Sequence, residues 1–195
     1  MKQLNAEFII GASNVAQFPN LALPEVAFCG RSNVGKSSLL NSIVLNNRLA
    51  KISSTPGKTK EINFFLVDER WVFADLPGFG YAAVGKDLRL KWTALNWHYL
   101  ENRENLKLVC VLVDSRHDPM EQDLATIERL EFAGRHYLIV LTKCDKISKS
   151  AVEQRKQQLE HLVSQCQFAV EVLPYSSVKM QGREELLAIL KRFLG

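Results

Sequence analysis

Two kinds of hydrophobic pattern alternate along the chain. Short unbroken apolar runs, Val26-Ala27-Phe28-Cys29, Leu108 to Val113 and Tyr137 to Leu141, have the length of buried strands, and Ala169 to Leu173, interrupted only by Glu171, reads as another. Between and after them, apolar positions fall three or four residues apart. That spacing predicts helices over Ser38 to Val44, Lys86 to Asn102, about Met120 to Phe132, Ser150 to Cys166 and Arg183 to Leu194. In the second of these Leu88, Trp92, Leu95, Tyr99 and Leu100 share roughly one face, which reads as core packing. Ile62 to Val67 and Trp71 to Ala74 flank Asp68-Glu69-Arg70 and read as a hairpin. Phe8-Ile9-Ile10 and Pro19 to Pro24 read as an irregular or short-strand lead-in. The stretch Leu49 to Lys60 is rich in Ser, Thr, Lys and Gly, and its Pro56-Gly57 forbids a continuous helix, so a flexible loop is expected there. Strands alternating with helices predict an α/β fold: a mostly parallel six-stranded sheet with helices on both faces and the hairpin as its antiparallel edge. In such sheets ligands sit at the carboxyl ends of the strands.

Composition narrows the class without naming a chemistry. The 195 residues are enough for one domain spanning 1–195 with its own core, and 47% hydrophobic with 24% charged residues is the balance of an ordinary soluble globule. No apolar run approaches the roughly 20 residues of a membrane helix. Met1 to Ile10 carries Asn5 and Glu7 before a short apolar patch, unlike a secretory signal. The four cysteines, Cys29, Cys110, Cys144 and Cys166, have no CxxC spacing and read as reduced thiols. A cytoplasmic monomer is the expectation. A net charge of +4 permits contact with nucleic acid without requiring it.

Chemistry concentrates at the predicted strand ends. Gly30-Arg31-Ser32-Asn33-Val34-Gly35-Lys36-Ser37-Ser38 follows the first strand and opens the first helix, matching the phosphate-loop pattern. Loop and first-turn N–H groups, the helix dipole and the Lys36 charge favour polyphosphate there, while the Ser37 hydroxyl suits Mg2+. Asp75-Leu76-Pro77-Gly78 ends the hairpin's second strand, so Asp75 can hold Mg2+ through water and the Gly78 N–H can reach a γ-phosphate. Thr142-Lys143-Cys144-Asp145 ends a later strand. The Asp145 carboxylate would accept from the N1–H and exocyclic amine of guanine, a donor pair that adenine lacks, and the Lys143 stem can lie over the base. Taken alone, Asp145 also reads as a helix cap. Ser176, Ser177 and Val178 follow the last strand, where backbone and hydroxyl groups would meet the guanine edge. For a switch hydroxyl on Mg2+, Thr59, Thr55, Ser53 and Ser54 compete, and composition does not choose among them.

The set GRSNVGKS, STPGKT, DLPGFG, TKCD and YSS, in this order and spacing, resembles the bacterial EngB (YihA/YsxC) ribosome-biogenesis GTP-binding proteins, within the TrmE-Era-EngA-EngB-like GTPases. Leu23-Pro24-Glu25, Lys91-Trp92 and Asp114-Ser115-Arg116-His117 extend the likeness over nearly the whole chain. The resemblance implies a Ras-like fold, a GTP/GDP ligand with Mg2+, and a role in maturing the large ribosomal subunit. It also implies Thr59 as the switch threonine and Gly57, Lys58, Thr59, Lys60 and Glu61 over the nucleotide. Two departures bear on mechanism. Phe79 stands where Ras-like enzymes carry a water-positioning Gln, so slow hydrolysis is expected. Thr142 replaces the Asn usual in the superfamily, removing an amide that ties this loop to the phosphate loop, so modest affinity is expected. Asn33 has two readings: holding a K+ ion beside the phosphates, which with Lys36, Thr59 and Gly78 would serve catalysis, or simply suiting the loop's backbone. Arg48, Lys51, Lys58 and Lys60, with Lys86, Arg89 and Lys91, are expected to form a basic face toward rRNA phosphates, or else are ordinary solvated charges. A nucleotide sensor with incidental hydrolysis is the competing function; Asp145 argues against an ATP-dependent phosphotransferase.

Overall fold

The computed structural model describes residues 3–46, 49, 61–79 and 86–195, with backbone alone for 86–89. Its strands are β1 (Ala6–Ala12), β2 (Glu25–Gly30), β3 (Ile62–Val67), β4 (Trp71–Asp75), β5 (Leu106–Asp114), β6 (Tyr137–Thr142) and β7 (Ala169–Pro174). Its helices are α1 (Lys36–Val44), α2 (Lys86–Asn102), α3 (Glu121–Phe132), α4 (Lys149–Leu162) and α5 (Arg183–Leu194). None is long and apolar enough to cross a membrane.

The strands form one seven-stranded sheet in the order β1-β3-β4-β2-β5-β6-β7. Among these only β3 runs against the rest, since it pairs antiparallel with both β1 and β4 while every other pairing is parallel. The sheet therefore has seven strands, not six, and the hairpin is not its edge. The lead-in around Phe8-Ile9-Ile10 is a full strand, with Ala6 opposite Val67 and Ala12 opposite Ile62. Its exposed Glu7 and Phe8 give it no clear alternation of its own; the unpaired edge of β3 supplies the hydrogen bonds that make it a strand.

Alternation along the central strands builds two cores. Ala27, Cys29, Ile139 and Leu141 face α2, α3 and α4 through Tyr99, Leu100, Leu130 and Leu159. Val26, Phe28, Leu138 and Val140 face α1 and α5 through Leu39, Ile43, Leu186 and Leu190. Complete burial pushes the Cys29 thiol up to about 12, leaving it neutral near pH 7. The predicted stripe on α2 divides: Tyr99 and Leu100 are buried, while Trp92 and Leu95 are half-buried. α4 begins one residue before the Ser150 to Cys166 pattern, after Ser148, whose hydroxyl accepts from the Ala151 N–H at 3.1 Å, and it ends earlier than that pattern, at Leu162. The wound topology brings the ends of β2, β4, β5, β6 and β7 to one rim.

Candidate nucleotide-binding site

β2 passes into α1 through residues 31–35, and two left-handed residues make the turn: Asn33 at φ 62° and Gly35 at φ 105°. A Cβ at Gly35 would meet nothing nearer than the Lys143 Cε at 3.7 Å, so backbone conformation, not crowding, calls for glycine there. Gly78 is the opposite case. A Cβ on it would lie 3.1 Å from both the Cα and the N of Ser32, so its missing side chain lets the segment after β4 lie against the phosphate loop. The two segments are also joined by hydrogen bonds, Phe79 N–H to the Gly30 carbonyl at 3.0 Å and Ser32 N–H to the Phe79 carbonyl at 3.1 Å. No side chain caps α1, which leaves its first-turn N–H groups available to an anion.

Lys36, the first residue of α1, is ion-paired with Asp75 at the end of β4, and both side chains are largely buried. In this largely buried setting each compensates the other's charge. The donors suit a hard cation: the Asp75 carboxylate and the Ser37 hydroxyl are oxygen ligands, and Ser37 has no side-chain partner among the described residues. Leu76 is fully buried, its N–H bonded to the Phe28 carbonyl at 3.1 Å, and the Pro77 carbonyl accepts from Asn96 at 3.3 Å. The Phe79 ring stacks on Trp97 of α2, centroids 6.2 Å apart at 14°, and the Arg129 guanidinium lies 4.1 Å from the Trp97 ring centroid. The position after Gly78 is thus spent on packing.

At the other end of the rim, the Thr142 hydroxyl donates to the Val34 carbonyl at 2.6 Å, with the Val113 carbonyl 3.3 Å away. This corrects the expectation that replacing Asn at 142 unties this loop: a hydroxyl makes the tie. Lys143 sits at φ 60° and reaches back to donate from Nζ to the Asn33 carbonyl at 2.6 Å and to Asp114 Oδ2 at 2.9 Å. Asp114 also accepts from the side chain of Arg116 at 2.9 and 2.8 Å. Burial would raise the Asp114 carboxyl, but the bonds from Arg116 and Lys143 hold it well below the usual carboxylate range. Asp145 does not cap α4; that role belongs to Ser148. Its Oδ1 accepts from the Ser176 hydroxyl at 2.7 Å, which keeps its carboxyl ionised by lowering its pKa against the effect of burial. Cys144 turns inward, its Sγ 3.2 Å from the Leu141 carbonyl.

The structure brings together residues 30–38, Asp75 to Gly78, Thr142 to Asp145 and Ser176. Ser176 is fully buried beneath Asp145, Ser177 is half-buried and Val178 is 76% exposed. Glu61 is exposed, with its carboxylate against Gly11 of β1. Gly57, Lys58, Thr59 and Lys60, with the competing Ser53, Ser54 and Thr55, lie outside the described residues, as do Arg48 and Lys51 and the side chains of Lys86 and Arg89. The sequence reading missed Asp114 as the partner of Lys143. Its signal was available: a lone carboxylate closing an apolar strand, beside the strand that ends in Thr142-Lys143.

A sheet switching between β4, β2, β5 and β6 at a phosphate loop, with a buried Lys and Asp pair and an ionised carboxylate at the far loop, defines a P-loop GTPase. A family model described as 50S ribosome-binding GTPase matches residues 25–143. Over its whole length the chain is 45% identical to the whole of the "Probable GTP-binding protein EngB" of Chlorobium phaeobacteroides (strain BS1). It belongs to the EngB family of GTP-binding proteins. Among solved structures it is similar in fold to a crystal structure of a GTP-binding protein EngB, with a TM-score of 0.73 at 21% identity over 87% of this chain and 98% of that one. It is also similar to Era solved with MgGDPNP and nucleotides 1506–1542 of 16S ribosomal RNA, with a TM-score of 0.70 at 20% identity over 89% of this chain and 57% of Era.

Proposed function

We propose that this protein is a slow GTPase whose nucleotide state switches its association with the precursor of the large ribosomal subunit. The observation that carries the reading is the contact of Gly78 with the Ser32 backbone. A γ-phosphate seated in the loop would lie beside the Gly78 N–H, so its presence or loss would move the segment that continues into α2. Lys36 would leave Asp75 for the β- and γ-phosphates, freeing Asp75 to hold Mg2+ with Ser37 and, from the family resemblance, Thr59. Bound Mg2+ would neutralise charge developing on the phosphates. Backbone groups of residues 30–38 and, from the family resemblance, of 57–61 would orient the phosphates, and Asp145, oriented by Ser176, would select guanine. Slow turnover follows from Phe79, whose stacked ring offers no hydrogen bond to an attacking water. The subunit as partner is supported by the matching family's description, and rRNA contact by the fold-level likeness to an RNA-bound GTPase.

The test is GTP and GDP affinity beside GTP turnover, with and without large ribosomal subunits, using Asp145→Asn as the specificity control. Guanine-selective binding that Asp145→Asn relaxes, with turnover raised by subunits, is expected. Turnover indifferent to subunits would replace the switch by a nucleotide sensor, and binding without preference for guanine would overturn the reading. For K+, the left-handed backbone of Asn33 accounts for an Asn there on conformational grounds. Its side chain is exposed and has no partner among the described residues, so the amide would be free to help hold a cation. Faster turnover in K+ than in Na+, abolished by Asn33→Ala, would assign it that role; equal rates in both would remove it.

A further inference from the structure

Arg31 is the second residue of the phosphate loop, yet its guanidinium is committed to a helix. Its Nε donates to both carboxylate oxygens of Asp123, 3.2 Å to each. Asp123 lies in the first turn of α3 and is 2% exposed, and its Oδ2 also accepts the Met120 N–H at 3.0 Å. One buried carboxylate therefore closes the start of α3 and holds the loop to it. The main chain of Arg31 meanwhile pairs with Phe79 in a parallel bridge, so loop, γ-phosphate-sensing segment and α3 all meet at this residue.

The second half of the loop is held independently, Asn33 by Lys143 and Val34 by Thr142, both through backbone carbonyls. The first half is held by Arg31, through its side chain to Asp123. Capping α3 through the Met120 N–H uses only the Oδ2 of Asp123 and leaves Oδ1 needing a second donor. Here the second oxygen is buried, and Arg31 answers it.

We propose that Asp123 is a positioning residue for guanine-nucleotide binding and hydrolysis, fixing the first half of the phosphate loop and its register with Gly78 and Phe79 through Arg31. It touches no nucleotide; it holds the loop's N–H groups in place before the phosphates arrive. The inference rests on the GTPase reading above.

The variants separate this role from helix capping. Arg31→Ala removes only the tie to the loop. Asp123→Asn keeps an acceptor for the Met120 N–H while removing the charge that Arg31 meets, and Asp123→Ala removes both. Fluorescent GDP and GTP-analogue affinities and single-turnover hydrolysis are measured on full-length protein, beside thermal melts without nucleotide. Arg31→Ala and Asp123→Asn are each expected to weaken binding by about tenfold, and the double variant by no more than either single one, because both break one interaction. Asp123→Ala is expected to add a loss of melting temperature. Affinities and single-turnover rates within twofold of wild type for both Arg31→Ala and Asp123→Asn would overturn the proposal, as would losses that multiply in the double variant. Arg31 is a partly exposed loop residue, so its variant keeps the test valid if an Asp123 variant does not fold. Wild-type protein that binds no guanine nucleotide would instead defeat the GTPase reading.

Discussion

The Thr142 hydroxyl and the Asp114 carboxylate show how single buried groups hold the binding loops together. Thr142 is 4% exposed and gives its one proton to the Val34 carbonyl, so Thr142→Val keeps the shape and leaves that carbonyl without its donor. The loss should be about 1 kcal/mol, read as a melting temperature lower by ~2–4 °C, together with severalfold weaker GDP binding. An unchanged affinity would mean the tie does not order the loop. Asp114 acts through ionisation. Because its native pKa lies below that of the unfolded chain, its stabilisation is complete above the unfolded carboxylate value, near about pH 4, and declines as pH falls toward the native value. Asp114→Asn should therefore cost about 2 kcal/mol at pH 7, ~4–8 °C of melting temperature. The gap to wild type should narrow as pH drops below about 4, and a constant gap across pH would refute the ionic account. Asp145 and Lys143 could be read as a binding pair from their spacing to the phosphate loop. Asp114 was marked only as a carboxylate closing an apolar strand; its partners come from β6 and from two residues onward, and the parallel β5–β6 pairing is what sets them side by side.

At the level of elements, the ends of helices carry as much information as their faces. Arg183, the first residue of α5, is 1% exposed and donates to the Ser42 and Ile43 carbonyls at the end of α1, at 2.9 and 2.6 Å. It supplies the donors that the last turn of α1 lacks and places a positive charge at its negative pole. Arg183→Ala should cost about 2–3 kcal/mol, seen as ~5–10 °C in a thermal melt, with little change in the ratio of GTP to GDP affinity. A melting temperature within a degree of wild type would show that water replaces it. On the other face, the stack of Phe79, Trp97 and Arg129 joins the residue after Gly78 to α2 and α3, the packed contact through which the proposed switch would reach those helices. α2 and α5 were legible at both ends because their apolar spacing is regular; β1 was not, because pairing with β3 rather than its own pattern makes it a strand.

For the molecule as a whole, the proposed switch requires a surface that reads it. Lys91 is exposed on α2, the helix that follows Gly78 and Phe79 in the chain, and Lys86 and Arg89 belong to the same helix. Charge reversal at these three positions should weaken association with large ribosomal subunits, most strongly at low salt, and leave GDP affinity within about twofold. Unchanged association at low salt would assign the contact to another face.

The order and spacing of the chain's motifs by themselves determined the class of fold and put the phosphate loop, Asp75 with Gly78, and Asp145 at the ends of strands. Each of these depends on local chemistry: a glycine that permits a left-handed turn, an anion site at a helix start, a carboxylate at a strand end. Tertiary structure decided what couples them. Thr142 reaches Val34 across 108 residues, Arg31 reaches Asp123 across 92, and Lys143 joins Asn33 to Asp114. The partners of a hydroxyl, a guanidinium or an ammonium are set by which strand ends the sheet order brings together, and no local pattern in the sequence encodes that order.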